Sequence, residues 1–258
     1  MADGKIRLFL DHDLGPGQTV PLTPEQAHYL FGVMRRGVGD AILVFNGRDG
    51  EWQAEVAEAR KRAGAVAIIA QTRSQVALPD LWLLFAPVKK ARTDFIVEKA
   101  VELGVARIQP VTTRFTNSER IRRDRLQAHA VEAAEQCGAT CIPEVTELMP
   151  LDRALADWPA DRQLVFCDET QAGASTDPRS VLTGAPAAIL IGPEGGFSKE
   201  ERTRLQAMPA AVSLALGPRI LRADTAAVAA ITLWQIAVGD WRDHADQCRP
   251  PDSSPPGR

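Results

Sequence analysis

Residues 189–200 read ILIGPEGGFSKE. An apolar run stops at Gly-Pro-Glu-Gly-Gly, and Ser198 then opens a polar stretch with Glu201 three residues on. The run has the length of a buried strand, and the Ser198–Glu201 spacing is that of a capping box at the start of a helix. Strand-to-helix turns of this kind are where α/β proteins hold ligands. The capping box serves the helix without Glu194, whose carboxylate is left to reach a ligand or a neighbouring amide. Gly192, Gly195 and Gly196 let backbone N–H and C=O groups approach a ligand with no Cβ in the way, and Pro193 stiffens the loop. The spacing is not that of a GxGxxG dinucleotide loop, and no Gly-Lys-Ser/Thr follows as in a Walker loop. Taken alone, the loop is equally readable as a tight connection whose glycines serve only the turn.

The surrounding chain repeats the pattern. LWLLFAP (81–87), RIQPVT (107–112), QLVFCD (163–168) and VSLALG (212–217) are short apolar runs. TDFIVEKAVELG, RRDRLQAHAVEAAEQ, LDRALADW, SKEERTRLQAM and DTAAVAAITLWQIAVGDW are the helical stretches among them. Continuous apolar strands alternating with helices indicate a mainly parallel sheet covered on both faces. The last of these strands also runs into Gly-Pro, in ALGPRILRADTAA (215–227), and then delivers Arg219, Arg222 and Asp224 ahead of a helix. Asp224 or Thr225 is positioned to cap that helix. Arg222 lies between Leu221 and Ala223, where its guanidinium can pair with Glu194, with Asp224 or with a phosphate. Two Gly-Pro turns ending two consecutive strands point to one cleft with two walls.

Upstream, the grammar differs. IRLFL (6–10), AILVF (41–45), EWQAEVAEA (51–59) and AVAIIAQ (65–71) are strands, and Asn46-Gly47-Arg48-Asp49-Gly50 is a hairpin loop. Thr23-Pro24-Glu25-Gln26 starts a helix that runs through HYLFGVMR to Arg35 and ends at Gly37. This is a small barrel or curled sheet, joined to the α/β part near RSQVALPD (73–80), and CRPPDSSPPGR at the end reads as a loose tail.

With 258 residues, 45% of them hydrophobic, the chain can build one or two domains, and a net charge of −3 excludes a globally basic nucleic-acid binder. A local basic patch remains open: Lys89, Lys90 and Arg92 precede an amphipathic helix in KKARTDFIVEKAVELGV (89–105), and Arg120, Arg122, Arg123 and Arg125 form a second cluster. Each is also readable as a solvated charge run. Cys137, Cys141, Cys167 and Cys248 make no CxxC pair, and core packing is the role assigned to them. His12, His28, His129 and His244 form no triad or metal set, so no metal is expected. No signal peptide or membrane-spanning run is visible, and the expected location is the cytoplasm.

LIGPEGGFSKEE, LGPRILRADTA and KKARTDFIVEKAVELGV, taken in order with RLFL, HYLFGVMRRGVGD (28–40) and AAEQCG (133–138), resemble the RsmE family. These enzymes methylate N3 of a uridine in 16S ribosomal RNA with S-adenosylmethionine as donor. The resemblance implies an α/β protein: a PUA-like β-barrel that helps hold RNA (1–74), a SPOUT methyltransferase domain with a mainly parallel sheet and a carboxy-terminal trefoil knot (75–244), and a flexible tail (245–258). It implies a homodimer acting on 16S ribosomal RNA within the small ribosomal subunit, with no membrane partner. The cofactor walls would be Ile191, Gly192, Pro193, Glu194, Gly195 and Gly196 on one side. On the other they would be Leu216, Gly217, Ile220, Leu221, Arg222 and Thr225, with FCDE (166–169) a third contributor. The residues expected to contact RNA are Arg7, Arg35, Arg36, Lys89, Lys90, Arg92, Arg122 and Arg123. The chain departs from the family pattern at Asp224, where glutamate is more usual, and at Ala139-Thr140, where many members carry arginine.

Position and chemistry nominate two catalytic groups. Arg222 would stabilise the anionic uracil or anchor its phosphate, and Glu194 would accept the N3 proton or orient Arg222. Three alternatives stay open: a SPOUT enzyme acting on another ribosomal or transfer RNA position, a non-catalytic RNA-binding assembly factor, and an α/β nucleotide-dependent oxidoreductase. The missing GxGxxG loop weighs against the last.

Overall fold

The computed structural model describes residues 6–118, 120–173, 177–184 and 186–242; the expected tail at 245–258 lies outside them. The chain divides into two compact units, Met1–Ala77 with Ala128–Ile142, and Leu78–Gln127 with Pro143–Arg258.

The first unit holds a five-stranded sheet of β1 (Arg7–Phe9), β2 (Thr19–Pro21), β3 (Ala41–Phe45), β4 (Glu51–Arg60) and β5 (Ala63–Arg73), in the order β1-β3-β4-β5-β2. The β1–β3 pairing is parallel and the others are antiparallel. Alternate residues such as Ile42 and Val44, Ala54 and Val56, and Val66 and Ile68 form its core with Leu8, Leu10 and Leu30. In the β3–β4 loop the Asn46 side-chain oxygen Oδ1 accepts from the Arg48 and Asp49 N–H groups at 2.9 and 2.8 Å. Asp49 in turn accepts from Leu14 N–H, the main cause of its lowered pKa.

The capping box at Thr23 and Gln26 forms as expected, but its α-helix, α1, covers only Pro24–Ala27. The chain then widens into a π-helix over His28–Val33, and Arg36 N–H reaches the Leu30 carbonyl at 2.9 Å. Arg35, at φ 54, ends the run in the left-handed region.

A charged cluster closes one end of this unit. The Glu51 carboxylate receives Arg7 Nε at 2.7 Å, Arg73 Nη2 at 2.7 Å and the Thr72 hydroxyl at 2.9 Å. Arg7 also donates to the carbonyls of Ala134, Glu135 and Ala139, and Arg73 to that of Gly138. These are orphan carbonyls at the end of a helix that finishes at Cys137, where Gly138 takes φ 83. Two guanidiniums at a helix carboxyl end also suit its partial negative charge. Side-chain exposure is 10% for Arg7 and 6% for Glu51, so both charges sit out of water and each needs the other.

The second unit is built on parallel strands β6 (Leu81–Phe85), β7 (Arg107–Thr112), β8 (Glu144–Val145), β10 (Gln163–Cys167), β11 (Ala187–Ile191) and β12 (Ala211–Leu214), in the order β12-β10-β11-β6-β7-β8. β9 (Met149–Pro150) pairs with β7. Its helices are α2 (Lys90–Glu102), α4 (Leu151–Ala154), α5 (Pro178–Val181), α6 (Lys199–Ala207) and α7 (Ala223–Ala237), while α3 (Arg123–Cys137) starts here and belongs from Ala128 onward to the first unit, where Arg7 holds its end. The helix expected across LDRALADW is reduced to the four residues of α4. Every residue of β11 is buried, as a strand covered on both faces requires. The small residues Ala226, Ala227 and Ala230 bring α7 close onto α2 and β11. Buried Gln235 of α7 gives its amide to the Leu103 carbonyl at 2.7 Å, satisfying the end of α2.

Glu51 sets a pH response. Burial alone would raise its pKa, but hydrogen bonds from Arg73, Arg7 and Thr72 outweigh burial and hold it down from 4.5 to about 2. The stabilisation is therefore complete above the unfolded value and is lost as pH falls from there toward 2. Glu51→Gln should cost about 3 kcal/mol at neutral pH, read by urea unfolding, and should flatten the acid limb of stability against pH.

Candidate active site at the carboxyl ends of the parallel strands

Register decides where the loops emerge. Ile191 lies opposite Phe85 and Cys167, and Cys167 opposite Leu214, so the β6, β10, β11 and β12 loops leave the sheet at one level. In the loop after β11, Gly196 N–H donates to the Pro193 carbonyl at 2.9 Å, closing a tight turn. Gly196 sits at φ 67, a conformation that favours glycine, and a Cβ there would push aside the carboxylate at the end of the Glu169 side chain. Ser198 and Glu201 then form the capping box of α6. Glu201 is doubly used, because its other oxygen accepts from Arg114 N–H at 2.7 Å.

The loops after β10 and β12 are tied together by Gly173 N–H donating to the Gly217 carbonyl at 3.0 Å, with Gly217 at φ 95. Asp168 and Glu169 follow β10. Asp168 Oδ1 accepts from Thr170 N–H at 3.0 Å, and Arg202 Nη1 lies 3.3 Å from Glu169 and 3.7 Å from Asp168. The other Asp168 oxygen, Oδ2, is buried with no hydrogen-bond partner in a residue only 4% exposed. Such an acceptor normally has a partner, which here a ligand's hydroxyl or amine would supply.

These loops enclose a pocket. Nine of the twelve residues expected as cofactor walls line it: Ile191, Gly192, Pro193, Glu194, Gly196, Leu216, Gly217, Ile220 and Leu221. Gly195 instead lies against Phe115, and Thr225 is exposed on the first turn of α7. From the FCDE segment, Cys167, Asp168 and Glu169 also line the pocket. Ala172, Leu214, Arg219, Ala223 and Ala226 complete the lining without having been expected there; the apolar ones carry a pattern that signals only core packing. Burial pushes the Cys167 thiol up to about 12, so it serves as an apolar wall and not as a nucleophile.

Beside this pocket is a second recess of about 350 Å³, lined by Arg92, Glu194, Ile220, Leu221 and Arg222. Glu194 does not orient Arg222: its carboxylate accepts from Arg92 Nη1 at 3.2 Å. Arg92 Nε lies 3.8 Å from Asp224. Neither Asp224 nor Thr225 caps α7, because Arg222 occupies the N-cap and contributes no side-chain bond, leaving its guanidinium exposed. Asp224 Oδ1 accepts only the adjacent Thr225 N–H, at 3.1 Å.

The basic residues divide by use. Arg7 is committed inside its unit and leaves the set expected to contact RNA. Arg123 donates to the Val145 carbonyl, and Arg122 pairs with Asp124 at 2.6 Å while remaining exposed. Lys89 and Lys90 at the start of α2 are exposed, as is Arg35, and Arg36 is half-buried. Among the described residues no group of three His, Cys, Asp or Glu side chains is placed to hold a metal ion, and no helix is long and apolar enough to cross a membrane.

Gly196→Ala should lower stability by about 1–3 kcal/mol, measured by urea unfolding. Removing the clash with Glu169→Ala in the same chain should recover part of the loss and leave the backbone cost of about 1–2 kcal/mol.

Residues 76–235 match the model of the RNA methyltransferase domain, and residues 22–69 that of the RNA methyltransferase PUA domain. The chain is 28% identical to the ribosomal RNA small subunit methyltransferase E of Rickettsia conorii over 87% of its own length and 93% of that protein's. A crystal structure of the ribosomal RNA small subunit methyltransferase E from Neisseria gonorrhoeae, bound to S-adenosyl methionine, superposes with a TM-score of 0.82 at 28% identity, covering 92% of this chain and 99% of that one. A putative methyltransferase from Legionella pneumophila, in complex with bound SAM, superposes with a TM-score of 0.81 at 31% identity over the same shares of the two chains.

Proposed function

The chain belongs to the ribosomal RNA small subunit methyltransferase E family, and from that membership we propose that it methylates N3 of a uridine in 16S ribosomal RNA, with S-adenosylmethionine as donor. The observation that carries the reading is the pocket formed by the two Gly-Pro turns and the Asp168-Glu169 turn at the carboxyl ends of β10, β11 and β12. Its residues fit the donor. The unpartnered Asp168 Oδ2 is an acceptor for a ribose hydroxyl or an amine, and Glu169 adds negative charge that suits a cation. Leu214, Leu216, Leu221 and Ala226 give an apolar surface for a flat ring. Backbone at Gly192 and Gly196 is open to close approach. When bound, S-adenosylmethionine supplies an electrophilic methyl carbon on a sulfonium, whose carbon–sulfur bonding pair stays with sulfur as the methyl leaves.

The protein's own work is alignment, removal of a proton and stabilisation of charge. Glu194, on the boundary between the pocket and the second recess, is the proposed acceptor of the N3 proton. Arg222, exposed at the start of α7, is the proposed partner of the imide charge or of the target's phosphate. The base must be presented outside a duplex stack, because a paired N3 is inaccessible. Lys89, Lys90, Arg35 and Arg36 are proposed to grip RNA phosphates. Residues 1–74 are taken as the RNA-holding domain and 75–244 as the methyltransferase domain, with the carboxy-terminal trefoil knot of its superfamily, working as a homodimer in the cytoplasm.

The decisive assay is transfer of labelled methyl to small ribosomal subunits that lack the modification, followed by nucleoside mass analysis. N3-methyluridine at one site is the expected product, and absence of any methylated nucleoside would overturn the reading. Arg222→Ala should lower kcat by about 100-fold or more while S-adenosylmethionine affinity stays within a few fold. Replacing Lys89 and Lys90 together with alanine should weaken RNA binding and reduce the slope of log affinity against log salt by about 1–2.

A further inference from the structure

The second recess is built from a donor and an acceptor set side by side. Arg92 Nη1 and a Glu194 oxygen are 3.2 Å apart, and Arg222 stands on the same rim. Asp224 lies against the far side of the Arg92 guanidinium, with Oδ2 3.8 Å from Nε, so Arg92 is held between two carboxylates. Side-chain exposure is 29% for Arg92 and 39% for Glu194, which leaves both groups reachable. Ile220, 75% exposed, lies on both the recess and the cofactor pocket. An isoleucine this open at the edge of a cleft offers an apolar face for a planar ligand.

We propose that this recess seats the acceptor base by its imide edge and that Arg92 is the residue that selects uracil. The inference rests on the methyltransferase reading and deepens it. Arg92 and Arg222 bring donors and Glu194 an acceptor to one recess, with Arg92 and Glu194 already 3.2 Å apart. A uracil edge presents the complement, a carbonyl, an N3–H and a second carbonyl. Cytosine turns an unprotonated N3 toward the Glu194 carboxylate and an amine toward one guanidinium, so two of three contacts become repulsive. Guanine matches at O6 and N1–H but sets its 2-amine against the remaining guanidinium. In this arrangement the N3 proton passes to a Glu194 oxygen, and the negative charge left on the imide is shared between its two carbonyl oxygens. Arg92 and Arg222 are placed to meet those oxygens. A carboxylate is a weaker base than an imide anion, so these donors are needed for the proton to move at all. Asp224 is a positioning residue that keeps the Arg92 guanidinium turned into the recess.

The test is equilibrium binding, with the full chain saturated with S-adenosylhomocysteine. Uridine 5′-monophosphate and cytidine 5′-monophosphate are titrated in parallel by saturation-transfer NMR. Wild type should prefer the uridine nucleotide by about tenfold or more, the size expected when a paired recognition edge is mismatched. Arg92→Gln should lose that preference while keeping the thermal stabilisation given by S-adenosylhomocysteine, and Asp224→Asn should lose part of it. N3-methyluridine 5′-monophosphate, lacking the proton, should bind more weakly than uridine 5′-monophosphate to wild type. Equal binding of the two pyrimidines by wild type, or no uridine nucleotide binding, would overturn the proposal. Loss of S-adenosylhomocysteine stabilisation in Arg92→Gln would also overturn it, by making Arg92 part of the cofactor wall or the fold. Absence of that stabilisation in wild type would instead be a failure of the donor reading, and the pyrimidine titration would still decide what the recess selects.

Discussion

The functional end of the molecule depends on the register of β11. Its five residues are buried on both faces and pair in step with β6 on one side and β10 on the other. A slip of one residue would turn Leu190 and Ile191 to the opposite faces of the sheet and misalign every loop beyond them. Because the register is held by packing on two faces, Gly192, Asp168 and Ala215 begin their loops at the same height. The ligand pocket is therefore a consequence of how a parallel sheet is buried. Its loops carry backbone amides and a few polar groups, while the strands beneath carry only shape.

That division explains what could be read from the chain. Alternation of apolar runs with helical stretches was enough to place β6, β7, β10, β11 and β12, because buried parallel strands leave a continuous apolar signature. The two Gly-Pro turns were legible for the same reason, since each interrupts such a run abruptly. Shorter pieces were not. β2, β8 and β9 span two or three residues each and contain proline or polar residues that carry no periodic signal. The π-helical stretch after Ala27 was read as ordinary helix, because a single extra residue per turn barely alters an apolar pattern over six residues.

Charge pairing was the least legible layer. By sequence position Glu194 was one of three candidate partners of Arg222, yet Arg92, 102 residues distant, takes the carboxylate. Arg7 looked like a surface cation close to the chain start and is instead buried with Glu51 against the carbonyls that end α3. In both cases a guanidinium is placed by tertiary contacts between segments far apart in sequence, which spacing does not encode. The AAEQCG stretch acquires a physical meaning from this. Its last turn supplies the carbonyls that Arg7 and Arg73 satisfy, and Glu135 accepts Phe9 N–H at 2.9 Å, with burial raising the pKa of its carboxyl. A motif that resembled a family signature is here the clamp between the end of a helix and a strand of the first unit.

The two arginines at the site differ in how they are held. Arg222 makes no side-chain cap bond and carries no ion pair among the described residues, so no carboxylate fixes its exposed guanidinium. Arg92 rises from the first turn of α2 and pairs with Glu194 at 3.2 Å, with Asp224 at 3.8 Å. A fixed donor reads an edge, whereas a mobile one accommodates whatever lies beyond it. The aspartate at 224 bears on this balance. Its carboxylate stops 3.8 Å from Arg92 Nε, at the outer limit of an ion pair, and a side chain longer by one methylene would close that distance. The shorter residue leaves Arg92 more strongly coupled to Glu194 than to the helix beneath it.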